Sequence, residues 1–334
     1  MKKSQDNFIE GIGNTPLLKL KAASEITGCN IYGKAEYLNP GGSVKDRAAL
    51  ALIKDAEEKK LISKGGTIVE GTAGNTGIGL CLIGNSIGYK TVIVMNDNQT
   101  QEKKDMLRLC GAKLVENPAL PFSNPDNYQH VGRRMAEELL KTEPNGVLFA
   151  DQWNNLANRR AHFETTGPEI WNQTEGKVDG FICAIGTGGT ISGTSTFLRS
   201  QNPNVVIGLA DPFGAAMYNH FAHGEIKSAG NSITEGIGLG RITPIIQDIT
   251  VDKPYQMPDE EALNIVFDLL QYEGLCLGGS SGINVAGAVR LAKEIGPGHT
   301  IVTILCDHGT RYQSKLFNPV FLREKGLPTP SWME

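Results

Sequence analysis

The sequence predicts an α/β protein built on two open, mainly parallel sheets. Three observations carry that prediction. Short β-branched runs alternate with stretches of helical period, strands run directly into Gly-rich turns that open helices, and the alternation resumes in the second half of the chain. With 334 residues, 40% hydrophobic and 20% charged, the chain is long enough for two domains. The boundary is placed near Asn154, giving an amino-terminal α/β domain over 1–154 and a carboxy-terminal one over 155–334.

The first strand is 31–37, rich in β-formers. It leads into Ser43-Val44-Lys45-Asp46-Arg47 and the apolar-periodic run 48–56, where Ser43 reads as an N-cap and Asp46 completes an S-x-x-D capping box. Lys45 then occupies N2, against the positive end of the helix dipole. That position disfavours the charged amine and favours the neutral form that Schiff-base chemistry requires. The competing reading is a solvated surface lysine. Strand 66–70, a Gly-rich loop over 71–77, helix 78–86 and strand 90–95 make a βαβ unit, whose crossover is right-handed by rule. Helix 101–109, strand 112–116 and helix 127–141 continue the pattern. Between the last two, 117–126 carries Pro118, Pro121 and Pro125 and is expected to be a mobile surface loop. Downstream, strands are expected near 180–185, 205–210 and 300–306, and helices near 190–199, 259–272 and 283–294.

A net charge of -4 gives no electrostatic case for nucleic acid or an anionic membrane. Residues 1–10 hold no apolar leader and no run reaches the length of a membrane span, so a cytosolic location is expected. Cys29, Cys81, Cys110, Cys183, Cys276 and Cys306 lie far apart, mostly within apolar runs, and read as buried and reduced. His220 and His223 have no partner at a recognisable ligand spacing, so no metal is expected.

Chemistry concentrates in three turns. Strand 181–185 enters Gly186-Thr187-Gly188-Gly189-Thr190 and then a helix, converging backbone N–H groups and two hydroxyls into a cradle suited to phosphate. A dinucleotide loop competes, with Asp211 ending a later strand, but the third glycine of that fingerprint is replaced by Ile191. No Lys-Ser/Thr pair follows, as a P-loop needs, and a merely tight loop stays open. In Glu70-Gly71-Thr72-Ala73-Gly74-Asn75-Thr76-Gly77 the amides and the Thr72 and Thr76 hydroxyls suit a carboxylate, and the Asn75 amide suits a phenolate oxygen. The alternative is a polar helix cap. Gly278-Gly279-Ser280-Ser281-Gly282, taken alone, reads as a cap.

Together, in this order and spacing, the lysine and the turns resemble the fold-type II pyridoxal-phosphate enzymes, specifically the cysteine synthase and cystathionine β-synthase family. The same resemblance runs through Ile12-Gly13-Asn14-Thr15-Pro16-Leu17, Glu164-Thr165-Thr166-Gly167-Pro168-Glu169-Ile170-Trp171 and Gly236-Ile237-Gly238, covering nearly the whole chain. It implies a tryptophan synthase β-like fold, pyridoxal 5'-phosphate as cofactor, and a homodimer. Lys45 looks like the Schiff-base lysine and acid/base. Asn75 matches the residue that meets the cofactor's O3′, Gly186, Thr187, Gly188, Gly189 and Thr190 match the 5′-phosphate loop, and Ser280 matches the serine at the pyridine nitrogen. Thr72, Ala73, Asn75, Thr76 and Gln152 fall where the family holds the substrate carboxylate, with Gly236 in a loop that closes nearby. A mobile closing part is implied at about 96–140.

A neutral hydroxyl at the ring nitrogen makes a weaker electron sink than a carboxylate would, which favours loss of a β-substituent to an aminoacrylate. Addition of sulfide then gives L-cysteine from O-acetyl-L-serine. Three departures bear on substrate: Ala73 replaces a serine of the usual pattern, 117–128 is longer than usual, and Asn96 stands where many relatives have proline. They leave open an L-cysteine desulfhydrase, which yields sulfide, pyruvate and ammonia. Cystathionine β-synthase activity is a further reading, set against a chain ending at Glu334 without an appended regulatory domain and without an amino-terminal Cys/His pair for haem. Docking of a partner's C-terminal peptide in the cleft, with or without catalysis, is also known in the family.

Overall fold

The structure is a computed structural model that describes residues 6–333. Residues 1–5, on which part of the leader reading rests, and Glu334 lie outside the described residues. In chain order the elements begin with β1 (Leu17–Lys19), α1 (Lys21–Thr27), β2 (Asn30–Ala35), α2 (Lys45–Glu58), β3 (Thr67–Gly71), α3 (Asn75–Ile87), β4 (Lys90–Asn96) and α4 (Gln101–Leu109). There follow β5 (Lys113–Asn117), α5 (Tyr128–Leu140), β6 (Val147–Phe149), α6 (Ala157–Ala161), α7 (Gly167–Gln173), β7 (Gly180–Cys183) and α8 (Gly189–Gln201). The chain closes with β8 (Val206–Pro212), α9 (Met217–His223), β9 (Lys253–Met257), α10 (Asp259–Glu273), α11 (Gly279–Ile295), β10 (Thr300–Leu305) and α12 (Pro319–Glu324).

Two sheets result, as expected. The smaller has the order β5-β4-β3-β6 and is wholly parallel. The larger runs β1-β2-β10-β7-β8-β9 and is parallel except for β1, which pairs antiparallel with β2. The sheets do not divide the chain at one point, because β1 and β2 join the larger sheet beside β10. Both faces of that sheet are covered, as parallel strands require. Ile182, Ala210, Ile301 and Leu305 pack with α11 residues such as Ile283 and Leu291, whereas Phe181, Cys183, Val302 and Ile304 pack with Ile191 and Leu198 of α8. This period-2 division is why uninterrupted apolar runs mark these strands.

Helix starts differ from expectation. The Gly-rich turns are shorter than drawn from sequence, since α3 begins at Asn75 and α11 at Gly279, which places Asn75 and Ser280 inside first helical turns. Three cysteines depart from the buried reading: Cys110, Cys276 and Cys306 are half-buried, while Cys29, Cys81 and Cys183 are buried. His220 packs its ring on Phe221, and His223 packs on Tyr218.

Two of the quoted motifs meet in a buried ion network. Arg47 on α2 donates from Nε to Glu36 at 2.7 Å and from Nη1 to Glu169 at 2.6 Å, and Lys34 on β2 reaches Glu169 at 2.6 Å. Thr15 donates to Glu36 at 2.7 Å, and Asn14 N–H donates to Glu169 at 3.0 Å. The Gly13-Asn14-Thr15 and Glu169 motifs therefore secure the start of α2, which carries Lys45. Burial alone would raise Glu169, but Arg47 and Lys34 outweigh it and hold the carboxyl down at about 2.

Candidate active site

The carboxyl ends of β3, β7 and β10 open on one cleft between the sheets, the usual ligand position in parallel α/β folds. The cleft encloses about 840 Å³ including its mouth, and Lys45, Thr72, Ala73, Asn75, Thr76, Gln152, Gly186, Thr187, Gly236 and Ser280 all line it. A smaller cavity of about 360 Å³ shares Lys45, Gly186 and Thr187 with it and adds Gly188 and Thr190. Gly189 lies between these last two at the first position of α8.

Lys45 is the first residue of α2, with Val44 as N-cap, one position earlier than expected. The reciprocal capping box does not form. Ser43 Oγ accepts from Lys45 N–H at 3.2 Å, while the Asp46 carboxylate turns away to Gly41 N–H at 2.6 Å. Tertiary geometry explains the exchange. A Cβ on Gly41 would stand 2.5 Å from Asp46 Oδ1, so only glycine lets its amide approach so closely.

The second turn is ordered by its own hydroxyls and by Gln152. Thr72 Oγ1 accepts from Gly74 N–H at 3.2 Å, Thr76 Oγ1 donates to Gln152 Oε1 at 2.6 Å, and Gln152 Nε2 donates to Gly71 C=O at 3.3 Å. Gly74 adopts φ +129°, a conformation costly to any other residue, with the Lys103 stem packed against it. Behind Gln152 lies the fully buried Glu70. Burial, reinforced by Asp151, raises its carboxyl to about 8. The folded state therefore keeps a proton that the unfolded chain releases above pH ~4.5, so this group's contribution to stability falls as pH rises from there through about 8. Glu70→Gln is expected to reduce the loss of stability between about pH 5 and 9 by on the order of a few kcal/mol. Thermal midpoints across that range check it, and an unchanged pH slope would refute it.

The fit of the third turn to a phosphate is a steric and hydrogen-bonding question. A Cβ on Gly186 would meet Gly236 C=O at 2.5 Å, on Gly188 (φ +93°) Ile246 at 2.0 Å, and on Gly189 Asn158 Oδ1 at 2.0 Å. Among the described residues, the N–H groups of Gly186, Thr187 and Gly188 have no protein acceptor, while Gly189 N–H, the first of α8, makes a long contact of 3.5 Å to Thr187 Oγ1. Unfilled donors at a helix N-terminus fit an anionic phosphate group. Asn158 steadies the loop, donating to Thr187 Oγ1 at 2.8 Å and to Gln152 C=O at 2.9 Å. Thr190 Oγ1 lies 3.3 Å from Nε2 of His162, whose burial lowers its pKa to about 3 and keeps the ring neutral. His162 opens a single π-helical turn between α6 and α7, a local irregularity typical of functional sites.

Several lining residues escaped the sequence reading. Lys103 and Glu235 form a buried ion pair at 2.7 Å in the cleft wall, Lys315 bonds the same carboxylate, and Tyr128, Trp153, Cys306 and Tyr312 also line the cleft. Asn75 is held by Asp307 and Arg311 from beyond β10. The position of Asp307, one residue past an apolar run that reads as a parallel strand, was the available signal. The proline-bearing 117–126 segment is braced by Asn117 Nδ2, which donates to Pro118 and Asp126 carbonyls at 2.9 Å each. Arg241 also stacks 3.7 Å from the Phe122 ring.

The sequence profile of the family described as pyridoxal-phosphate dependent enzyme matches residues 9–307. The chain is 52% identical to cysteine synthase 1 of Neurospora crassa over 321 residues, covering 95% of this chain and 84% of that protein. It is 50% identical to cysteine synthase 1 of Emericella nidulans over 327 residues, covering 96% and 87%. Among solved structures, the O-acetylserine dependent cystathionine beta-synthase from Helicobacter pylori superposes with a TM-score of 0.83 at 30% identity, covering 94% of this chain and 99% of that one.

Proposed function

The chain belongs to the pyridoxal-phosphate-dependent enzyme family, and on that premise we propose that it forms L-cysteine from O-acetyl-L-serine and sulfide by β-replacement. The observation that carries the reading is the meeting of Lys45, the Thr72–Thr76–Gln152 pocket and the Gly186–Thr190 loop in adjoining cavities. The cysteine synthase names of the Neurospora and Emericella relatives support this substrate pair over the desulfhydrase and cystathionine readings.

Bound pyridoxal phosphate supplies an electron sink that acidifies the α-hydrogen of an amino acid. The protein supplies the rest. The N–H groups of Gly186, Thr187 and Gly188, just before α8, would hold the phosphate, and Ser280 would offer a neutral hydroxyl rather than a charge at the ring nitrogen. Thr72, Thr76, Gln152 and the turn amides hold the substrate carboxylate, fixing the α-carbon within reach of Lys45. Its Nζ takes the α-proton as acetate leaves the β-carbon, and hydrosulfide then forms the new C–S bond at that carbon while a proton returns to Cα. Segment 96–140 is the part proposed to close over substrate. Supporting this, its Glu102 accepts from Ser314, and its Gln129 accepts from Arg241, both contacts to the carboxy-terminal half of the chain.

Stopped-flow absorbance with O-acetylserine and, separately, with cysteine tests the assignment. Fast spectral conversion by O-acetylserine, reversed by sulfide with formation of cysteine, is expected. Steady sulfide and pyruvate release from cysteine, with little turnover of O-acetylserine, would replace it with the desulfhydrase. Ala73→Ser is expected to add one hydroxyl to the carboxylate pocket and lower KM for O-acetylserine by about three- to tenfold, the net value of one ordinary hydrogen bond. Steady-state kinetics check it.

A homodimer is also proposed, supported by exposed Leu156 and Phe163, which flank a shallow depression with Pro244. Phe163→Glu should shift the mass seen by light scattering to that of a monomer. The absence of any disulfide among the described residues supports a reducing, cytosolic setting. No described helix is long and apolar enough to cross a membrane.

A further inference from the structure

Asn75 is clamped from both ends of its side-chain amide. Its Nδ2 donates to Asp307 Oδ2 at 2.6 Å, and its Oδ1 accepts from Arg311 Nη1 at 2.6 Å. Carboxylate accepts only and guanidinium donates only, so this amide has one permitted orientation; turned over, it would place two acceptors together and two donors together. An asparagine bonded only to water or hydroxyl groups, which both donate and accept, has no such restriction.

The clamp is itself built in. Asp307 is fully buried, and its Oδ2 also accepts from the buried Tyr312 hydroxyl at 2.6 Å. The second arm of Arg311 donates to Gly41 C=O, in the turn that precedes Lys45. Gly42 in that turn has φ +77°, and a Cβ there would stand 2.9 Å from Arg311 Nη2. One guanidinium thus ties the loop carrying Lys45 to the helix carrying Asn75, and Asp307 supplies the counter-charge on the far side of the amide.

We infer that Asp307 and Arg311 are positioning residues for the cofactor: acting through Asn75, they present a hydrogen-bond donor to the cofactor's 3′ oxygen and forbid the orientation that would present an acceptor. The inference rests on the reading of Asn75 as the residue that meets that oxygen. An acceptor there would oppose the anionic form of the oxygen, so loss of the clamp moves the balance of the bound chromophore towards its neutral form and weakens retention.

The test uses the holoenzyme and needs no turnover. Absorption spectra and the dissociation constant for pyridoxal phosphate are measured for wild type, Asn75→Ala, Asp307→Asn, Arg311→Met, and each of the last two combined with Asn75→Ala. Asp307→Asn and Arg311→Met are each expected to shift the visible band in the direction that Asn75→Ala does and to weaken cofactor binding about tenfold, yet to add less than about twofold on top of Asn75→Ala, the signature of residues acting through a shared partner. Arg311→Lys keeps one donor and should restore most of the wild-type spectrum. If Asn75→Ala itself leaves spectrum and affinity unchanged, the underlying reading of Asn75 fails. If it changes them while Asp307→Asn and Arg311→Met do not, or if their effects persist in full without Asn75, the positioning role is overturned. Should Asp307→Asn fail to fold, the Arg311 variants decide the question alone.

Discussion

Lys45→Ala is expected to abolish the covalent lysine linkage to the cofactor and to lower turnover of O-acetylserine by at least about a thousandfold. Loss of a positioned acid/base alone accounts for roughly 10²–10⁴ in rate, and loss of the nucleophilic amine adds to it. The substitution creates little structural damage, because Lys45 is the first residue of α2 and only half-buried. Borohydride reduction followed by peptide mass analysis reads the linkage directly, and a steady-state assay reads the rate. A reducible adduct at another lysine, or turnover within tenfold of wild type, would remove Lys45 from the reaction.

Arg47→Met, only two residues beyond Lys45 in sequence, is expected to give the largest loss of stability. The guanidinium is buried, as is Glu36, and Glu169 is mostly so. Removing Arg47 strips the buried Glu36 of its ion-pair partner and leaves Glu169 with Lys34 alone, at a cost of about 3–5 kcal/mol. The pH dependence is distinctive. Glu169 is held at about 2 in the folded protein against an ordinary 4.5, so its contribution is complete above about pH 4.5 and lost as pH falls towards 2. The wild type should therefore lose its advantage over Arg47→Met progressively across that acid range. Denaturant unfolding at a series of pH values measures the difference, and a gap that is constant with pH would rule out this origin.

The contrast between these two neighbours shows what the sequence makes legible. Lys45 announces itself because a cation at a helix start, followed by Gly-rich turns that end strands, is a local pattern with local chemical meaning. The turn residues Thr72, Asn75, Thr76 and the Gly186 loop are legible for the same reason. Lys103, Glu235 and Arg311 are single polar residues in unremarkable surroundings and Asp307 is marked only by its place just past an apolar strand; tertiary structure alone brings the four together, and no spacing rule connects them. The parallel strands are readable because burial on both faces leaves continuous apolar runs. In contrast, β9 contains Pro254 and begins with Lys253, as an edge strand tolerates, and so carries no such mark. Asp46 shows a local rule overridden: its three-residue spacing from Ser43 fits a capping box, but the nearby Gly41 amide makes the better-placed donor.

The pairing of β2 with β10 sets a timetable for biosynthesis. β2 emerges from the ribosome near residue 30, but the neighbour it pairs with on its parallel side, β10, is not translated until residues 300–305. The four strands of the smaller sheet, by contrast, all lie between Thr67 and Phe149 and pair only with one another. That sheet can assemble while synthesis continues, whereas β2 must wait with an open edge through some 270 further residues, well over ten seconds at ordinary elongation rates of roughly 5–20 residues per second. The interval in which nascent chains are most prone to misassociate is therefore built into the first strands of the protein, and a chaperone's demand for it should centre there.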